Sequence, residues 1–155
     1  MDMHIAHTEE YEEELKSALI CEESAENRNT ITAALESMGY RTESATNADE
    51  TLEKLKFNQY SVIILNERFG GTPESNTVYK HLQFMPMGIR RHLFLALVGQ
   101  DLKTQDHMTA FAKSANLVIN ERDLPNIKAI LKKAIAENDQ FYRVFKESLV
   151  KLGKQ

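Results

Sequence analysis

Four short apolar runs of the sequence end at or beside residues that are the candidates for chemistry. These residues are Glu22 and Glu23, then Asn66, then the pair Val98-Gly99, and then the pair Asn120-Glu121. If the runs are parallel strands, their carboxyl ends meet at one edge of a sheet, where open α/β sheets bind their ligands. Adjacent carboxylates there would either hold a hard cation through oxygen ligands or remain solvated beside a helix N-terminus.

Several common reaction chemistries lack their residues in this chain. The sequence has no Gly-x-Gly-x-x-Gly fingerprint, no nucleophile with a base beside it and no cluster with metal-ligand spacing. Gly70-Gly71 is not followed by the lysine of a phosphate-binding loop, so a plain turn is expected. The single cysteine, Cys21, excludes an internal disulfide and is expected to be a small core residue. We therefore expect neither enzymatic activity nor a cofactor.

The spacing of apolar residues predicts the elements that position these side chains. Apolar runs without a helical period predict strands at 17–21, 61–65, 92–98 and 117–119, and a short, more polar strand is predicted at 40–44. Apolar residues three and four apart predict helices at 25–38, from a cap at Asn47 through Leu55, at 76–84, at 104–112 and from Leu124 onward. The run at 61–65 is apolar on both faces, which is typical of a central parallel strand.

The predicted order is a strand followed by a helix, repeated five times. Alternating units of this length imply an α/β fold, in which helices cover both faces of a five-stranded parallel sheet in a three-layer α/β/α sandwich. The domain is predicted to span residues 17–136. Residues 1–16 contain six acidic side chains and little apolar surface, so we expect an acidic tail or linker. Residues 137–155 are predicted to be a C-terminal helical extension.

Composition indicates a soluble protein of the cytoplasm. The chain has 155 residues, of which 42% are hydrophobic and 27% charged, and no apolar run approaches the roughly 18 residues that span a bilayer. The net charge is −4, although residues 126–155 carry 7 Lys+Arg against 3 Asp+Glu. The only basic pair in the acidic remainder, Arg90-Arg91, is expected to be two solvated loop charges. Binding to nucleic acid or to a membrane is therefore not expected.

An ordered set of short motifs resembles the receiver domain of two-component response regulators. The set consists of Gly39-Tyr40, Ala45, Ala48-Asp49-Glu50, Leu52, the run Tyr60–Leu65 and the Gly70-Gly71 loop. The resemblance covers about residues 17–136. It implies the flavodoxin-like receiver topology and a role in bacterial phosphorelay signal transduction.

Carried over position by position, the resemblance implies a degenerate phosphorylation site. The family's phosphoacceptor aspartate falls at Asn66, whose carboxamide is a poor nucleophile compared with a carboxylate. The family's switch Ser or Thr falls at Val98, and its lysine falls at Glu121. The acidic pair that holds Mg²⁺ in the family falls at Glu22 and Glu23, each longer by a methylene. A phosphoryl group would meet these carboxylates with no lysine to offset them.

These departures predict a pseudo-receiver that acts through protein-protein interaction and does not depend on phosphorylation. The resemblance places the docking surface on the fourth helix, fifth strand and fifth helix, here with Phe111, Lys113 and Arg122. One alternative is a working receiver whose acid pocket binds a cation and in which another residue accepts the phosphoryl group. A second alternative is a small α/β enzyme.

The last segment contains apolar residues that have no place in a five-stranded core. Leu124, Ile127, Leu131, Ala134, Asn138, Phe141, Phe145, Ser148 and Leu152 alternate by three and four. If the helix continues, this seam would pair with a second copy in a homodimer, with Asn138 setting the register. If Glu137–Asp139 breaks the helix, the tail would fold back or point into a downstream segment. Phe141 and Phe145 are the candidate contact residues.

Overall fold

The computed structural model describes residues 16–153, within which there are five strands and six α-helices. In chain order they are β1 (Ser17–Cys21), α1 (Ala25–Ser37), β2 (Arg41–Ser44), α2 (Ala48–Phe57), β3 (Val62–Asn66), α3 (Thr77–Gln83), α4 (Met87–Arg90), β4 (Phe94–Gly99), α5 (His107–Ala112), β5 (Leu117–Asn120) and α6 (Ile127–Lys151). Two 3-10 segments cover Pro73–Ser75 and Glu121–Asn126. The predicted acidic tail lies outside the described residues, except for Lys16.

All five strands pair in parallel, in the order β2-β1-β3-β4-β5. The central strand β3 is buried along its whole length, as its doubly apolar sequence predicts. Its register with β4 sets Asn66 beside Val98. The predicted three-layer sandwich with receiver topology is confirmed.

The core consists of two apolar clusters, one on each face of the sheet. On one face, β3 packs against α2, α3 and α5, with Val78 and Leu82 at its centre. On the other face, α1 and α6 pack side by side on the sheet through Ile31, Leu35 and Leu131. Because β3 is covered on both faces, its carboxyl end is held rigidly between the two helical layers.

Side-chain caps set where the helices begin and therefore where the strand-end loops stop. Ser24, Asn47, Asn76 and Asp106 each accept a hydrogen bond from the backbone N–H three residues later. The helix predicted from residue 104 begins only at His107. The reason is that Gln105 has a φ of 66° and donates its backbone N–H to the carbonyl of Val118 at 2.9 Å, outside a helical conformation.

Helix α6 runs unbroken through Glu137–Asp139, so the alternative of a continuous helix is confirmed and the alternative of a break there is wrong. Asn138 accepts a hydrogen bond from Asn116 Nδ2 at 3.2 Å. Asn138 therefore connects the helix to its own domain instead of standing free at a seam between two copies. Although α6 has 25 residues, charged side chains recur along it, and no helix in residues 16–153 has the length and apolarity to cross a membrane.

Arg90 is a structural residue, and the prediction that it is a solvated loop charge is wrong. Its guanidinium donates to the carbonyls of Leu93 (2.6 Å) and Ser114 (2.9 Å) and to Asn116 Oδ1 (3.0 Å). Asn116 Oδ1 also accepts the N–H of Leu95 at 2.8 Å. Together with the bond to Asn138, these contacts make Asn116 the junction between α4, β4 and α6.

Replacing Leu131 with alanine tests the packing of α6 on the sheet. Leu131 is fully buried, so Leu131→Ala is expected to lower the free energy of unfolding by about 2–5 kcal/mol. The matched control is Val150→Ala on the same helix, where the side chain is 55% exposed and the expected change is within about 0.5 kcal/mol. Chemical denaturation measures both, and equal losses would contradict the described packing.

Candidate functional site

Three predicted positions meet at the carboxyl edge of the sheet. Asn66 Nδ2 donates one hydrogen bond to Glu22 Oε2 at 2.6 Å and another to Glu121 Oε1 at 2.8 Å. Asn66 Oδ1 accepts the backbone N–H of Arg68 at 2.9 Å. The carboxamide therefore presents both of its hydrogens to carboxylates and its oxygen to its own loop.

Only an amide satisfies this arrangement at position 66. Carboxylates accept hydrogen bonds and, when ionised, donate none. An ionised aspartate at this position would place a third carboxylate between two others, without a proton for either. Asn66 thus acts as a neutral bridge, which lets Glu22 and Glu121 approach the same point of the sheet edge.

Glu22 is the buried member of the acidic pair. It is only 4% exposed, and its other oxygen, Oε1, accepts the backbone N–H of Ser24 at 3.2 Å. Burial raises the pKa of Glu22 and the nearby charge of Glu121 adds to this, while the hydrogen bonds from Asn66 and Ser24 act in the opposite direction. The net direction is upward, because removal of the carboxylate from water outweighs its hydrogen bonds.

Glu23 makes a different contact from Glu22. Its Oε1 accepts the backbone N–H of Gly70 at 2.6 Å. Gly70 has a φ of 79°, a conformation that glycine adopts at little cost. Glu23 therefore holds the loop after β3 against the loop after β1, and the two adjacent acids serve different partners.

Asn76 is a buried residue of the site that the sequence prediction treated only as the start of a helix. Its Nδ2 donates to the carbonyls of Asn66 at 3.2 Å and Glu67 at 2.9 Å, while its Oδ1 caps α3. It is 1% exposed. An asparagine ten residues after the strand end does signal a cap, but nothing in the sequence indicates that it also holds the strand-end carbonyls.

Val98, the position that the resemblance assigns to the switch hydroxyl, carries an apolar side chain. Val98 is fully buried in the cluster that faces α1 and α6, and its carbonyl accepts the N–H of Glu67 at 2.8 Å. Gly99 leaves room for Glu67, because a Cβ at Gly99 would collide with the Glu67 carboxylate. Glu67 Oε1 pairs with Lys113 Nζ at 3.4 Å. Lys113, predicted as a docking residue, is thus already engaged beside the site.

The arrangement does not fit a magnesium ion. Mg²⁺ takes oxygen ligands in near-octahedral geometry. Both oxygens of Glu22 already accept hydrogen bonds, and Asn66 directs N–H groups, not its oxygen, toward the acids. Within residues 16–153, no three His, Cys, Asp or Glu side chains are close enough together to hold a metal ion.

The other predicted contact residues lie on the surface. Phe111 is 84% exposed on α5, and Met108, one turn earlier and missed by the sequence prediction, is 79% exposed. Arg122 is exposed in the 3-10 segment after β5. On α6, Phe141 is 65% exposed and Phe145 is 42% exposed.

Comparison with known proteins identifies the fold. No protein-family model matches the sequence, and no curated protein matches it. Solved structures of response regulators do match. HP1043, an orphan response regulator of H. pylori, covers 78% of this chain and 97% of its own at 10% identity and a TM-score of 0.59. A response regulator from Thermotoga maritima covers 78% and 98% at 15% identity and a TM-score of 0.60.

A CheY-like receiver domain protein from Methanospirillum hungatei JF-1 gives the same result. It covers 81% of this chain and 98% of its own, at 19% identity and a TM-score of 0.57. At identities this low, the structural similarity establishes the shared fold alone. Any chemistry has to be argued from the residues at the sheet edge. The chain has the fold of response-regulator receiver domains.

The raised pKa of Glu22 predicts how stability depends on pH. Because the pKa of Glu22 is above 4.5 in the folded state, the protonated side chain makes its full contribution to the free energy of unfolding below about pH 4.5. This contribution is lost as the pH rises through the pKa of the folded state. Glu22→Gln removes that loss. The difference in free energy of unfolding, variant minus wild type, is expected to increase with pH above about 4.5, whatever its constant offset. Urea denaturation at a series of pH values measures it.

Asn66→Ala serves as the second arm of the pH experiment. It removes the donor that lowers the pKa of Glu22, so the loss of stability is expected to extend to higher pH than in the wild type. Parallel curves for wild type, Glu22→Gln and Asn66→Ala would contradict the assignment of Glu22 as a destabilised buried acid.

Proposed function

We propose that the chain is a pseudo-receiver, a signalling module that acts through protein-protein contacts and does not depend on phosphorylation. The observation that carries the proposal is the amide of Asn66 bridging Glu22 and Glu121. This bridge occupies the point at which a working receiver would carry its phosphoryl group.

Four features of the site oppose phosphoryl transfer together. A carboxamide oxygen is a poor nucleophile, so Asn66 does not form an acyl phosphate. A phosphoryl anion at this point would lie beside the carboxylates of Glu22 and Glu121, and repulsion in a partly dry site costs several kcal/mol. Val98 offers no hydroxyl to such a group, and Lys113 is paired with Glu67. On this proposal, the chain catalyses no reaction of its own.

The proposed docking surface is the face formed by α5, β5 and the start of α6. Met108 and Phe111 expose apolar side chains one turn apart on α5, and Arg122 supplies a cation nearby in the chain. Exposed aromatic and methionine side chains are enriched at protein-protein interfaces. The partner that this face fits is a protein with an apolar contact patch.

The extension of α6 supports a second contact, with another copy of this chain. The apolar stripe of α6 continues through the last turns of the helix, where Phe141 and Phe145 remain exposed and Tyr142 and Leu149 are half-buried. Arg143 lies on the opposite, polar side. Stripes of this spacing pair with one another in helical dimers.

A titration with magnesium and then beryllofluoride, a phosphoryl mimic, tests the pseudo-receiver proposal. Backbone amide NMR signals of the loops after Cys21, Leu65, Val98 and Ile119 are expected to show no saturable shift in the wild type. Asn66→Asp is expected to be equally silent, because Val98 and Glu121 remain. A working receiver domain measured in parallel is the positive control. Saturable shifts spreading from Asn66 toward α5 would refute the proposal and favour a cation-binding receiver.

Light scattering tests the proposed homodimer. The full chain is expected to have twice the mass of a monomer, and the double variant Phe141→Glu/Phe145→Glu is expected to return to the monomer mass because it buries charge in the seam. Arg143→Glu, on the polar side of the same helix segment, is the control and is expected to leave the mass doubled. A monomeric wild type would show that the stripe does not pair with a second copy.

A further inference from the structure

The end of the sheet opposite the candidate site carries three adjoining grooves. The first groove lies between α2, α3 and α4. The second follows the amino ends of β3 and β4, and the third runs under the extension of α6. The second and third have volumes of about 710 and 580 Å³. The first two share Leu55, Met85 and Ile89, and the last two share Lys16, Ser61 and His92, so they form one continuous surface.

Large apolar side chains line this surface without being covered. Phe84 is 85% exposed, Phe57 is 70% exposed and Ile89 is 59% exposed, and all three line the first or second groove. Contiguous exposed apolar surface of this kind marks an interaction site. Because the set includes two phenylalanines, the occupant must supply apolar or aromatic side chains of its own.

The charge of the surface is strongly one-sided. The Lys and Arg residues that line the three grooves are Lys16, Lys56, Lys80, Arg91 and Lys146, and all five are exposed. Among the lining residues, all of which fall in the described part of the chain, the only acid is Asp139. The whole chain has a net charge of −4, so this basic surface is a local concentration against the overall balance.

We infer that this basic, apolar-lined surface is the docking site for the acidic segment formed by residues 1–15 of the same chain. That segment contains six acidic residues and no Lys or Arg, and Ile5, Tyr11 and Leu15 supply apolar side chains among the acids. Its charge and its apolar residues complement those of the grooves.

The connection to the domain favours the chain's own segment over a foreign acidic peptide. Lys16, the residue that follows the segment, itself lines the second and third grooves. Fifteen residues reach at most about 50 Å when extended. Because the segment begins its path at Lys16, on the surface itself, its length is sufficient to lie along the grooves. A tethered segment acts at an effective concentration in the millimolar range for short linkers, so even a weak contact is occupied.

A spin label on the acidic segment tests the inference in the full chain. Cys21 is buried and burial raises the pKa of its thiol to about 12, so a cysteine introduced by Thr8→Cys is the reactive thiol at neutral pH. The nitroxide is expected to broaden amide signals of residues 56–58 and 88–92 and to leave Gly70 and Gly99, at the opposite edge, unaffected. The broadening is expected to vanish at about 1 M salt, where the Debye length is about 3 Å.

Charge reversal supplies the matched controls. Lys56→Glu/Arg91→Glu in the labelled chain is expected to abolish the broadening, whereas Lys128→Glu/Lys132→Glu, an equal charge change at exposed positions of α6 outside the grooves, is expected to retain it. Broadening that is absent, or that persists in Lys56→Glu/Arg91→Glu, would overturn the inference. Broadening that is as strong in an unlabelled copy mixed with the spin-labelled chain as in the labelled chain itself would also overturn it, by assigning the occupant to a second copy.

Discussion

The edge of the sheet depends on one neutral amide placed between two acids. Glu22 is buried in a position where its charge is unfavourable, and Glu121 approaches the same point from the 3-10 segment that follows β5. Asn66 reconciles them because it donates a separate hydrogen to each. Each bond is strongest when its carboxyl group is ionised, because a hydrogen bond to a charged acceptor is stronger than one between neutral groups.

The loops around this edge are organised by asparagines and glutamates that hydrogen-bond to backbone groups. Asn76 holds the carbonyls of Asn66 and Glu67, and Glu23 holds the N–H of Gly70. A working switch requires a loop that changes its contacts when a ligand arrives. Here the loop contacts described above are made by the chain's own side chains.

The strands, the layers and the three positions that meet at the sheet edge could be predicted from the sequence, because apolar periodicity and the β-α order determine them together. The contacts made by single polar side chains could not. Arg90 is predicted to be a solvated loop charge. Its guanidinium instead donates hydrogen bonds to Leu93, three residues away across a turn, and to Ser114 and Asn116, which are distant in sequence. Asn138 fits a seam spacing, but its partner, Asn116, lies 22 residues away on a loop whose position only the fold determines.

The bond between Asn116 and Asn138 has a mechanical consequence. Beyond Asn138, α6 continues for 13 residues to Lys151, which at about 1.5 Å per residue is a rigid rod of about 20 Å. At the start of this rod, one side-chain hydrogen bond joins Asn138 to Asn116, which also accepts hydrogen bonds from Arg90 and from the N–H of Leu95 in β4. A force applied to the end of this helix would therefore be transmitted through the Asn116–Asn138 bond to the amino ends of β4 and β5. In mechanical terms, the helix would act as a lever arm that pivots at this asparagine pair.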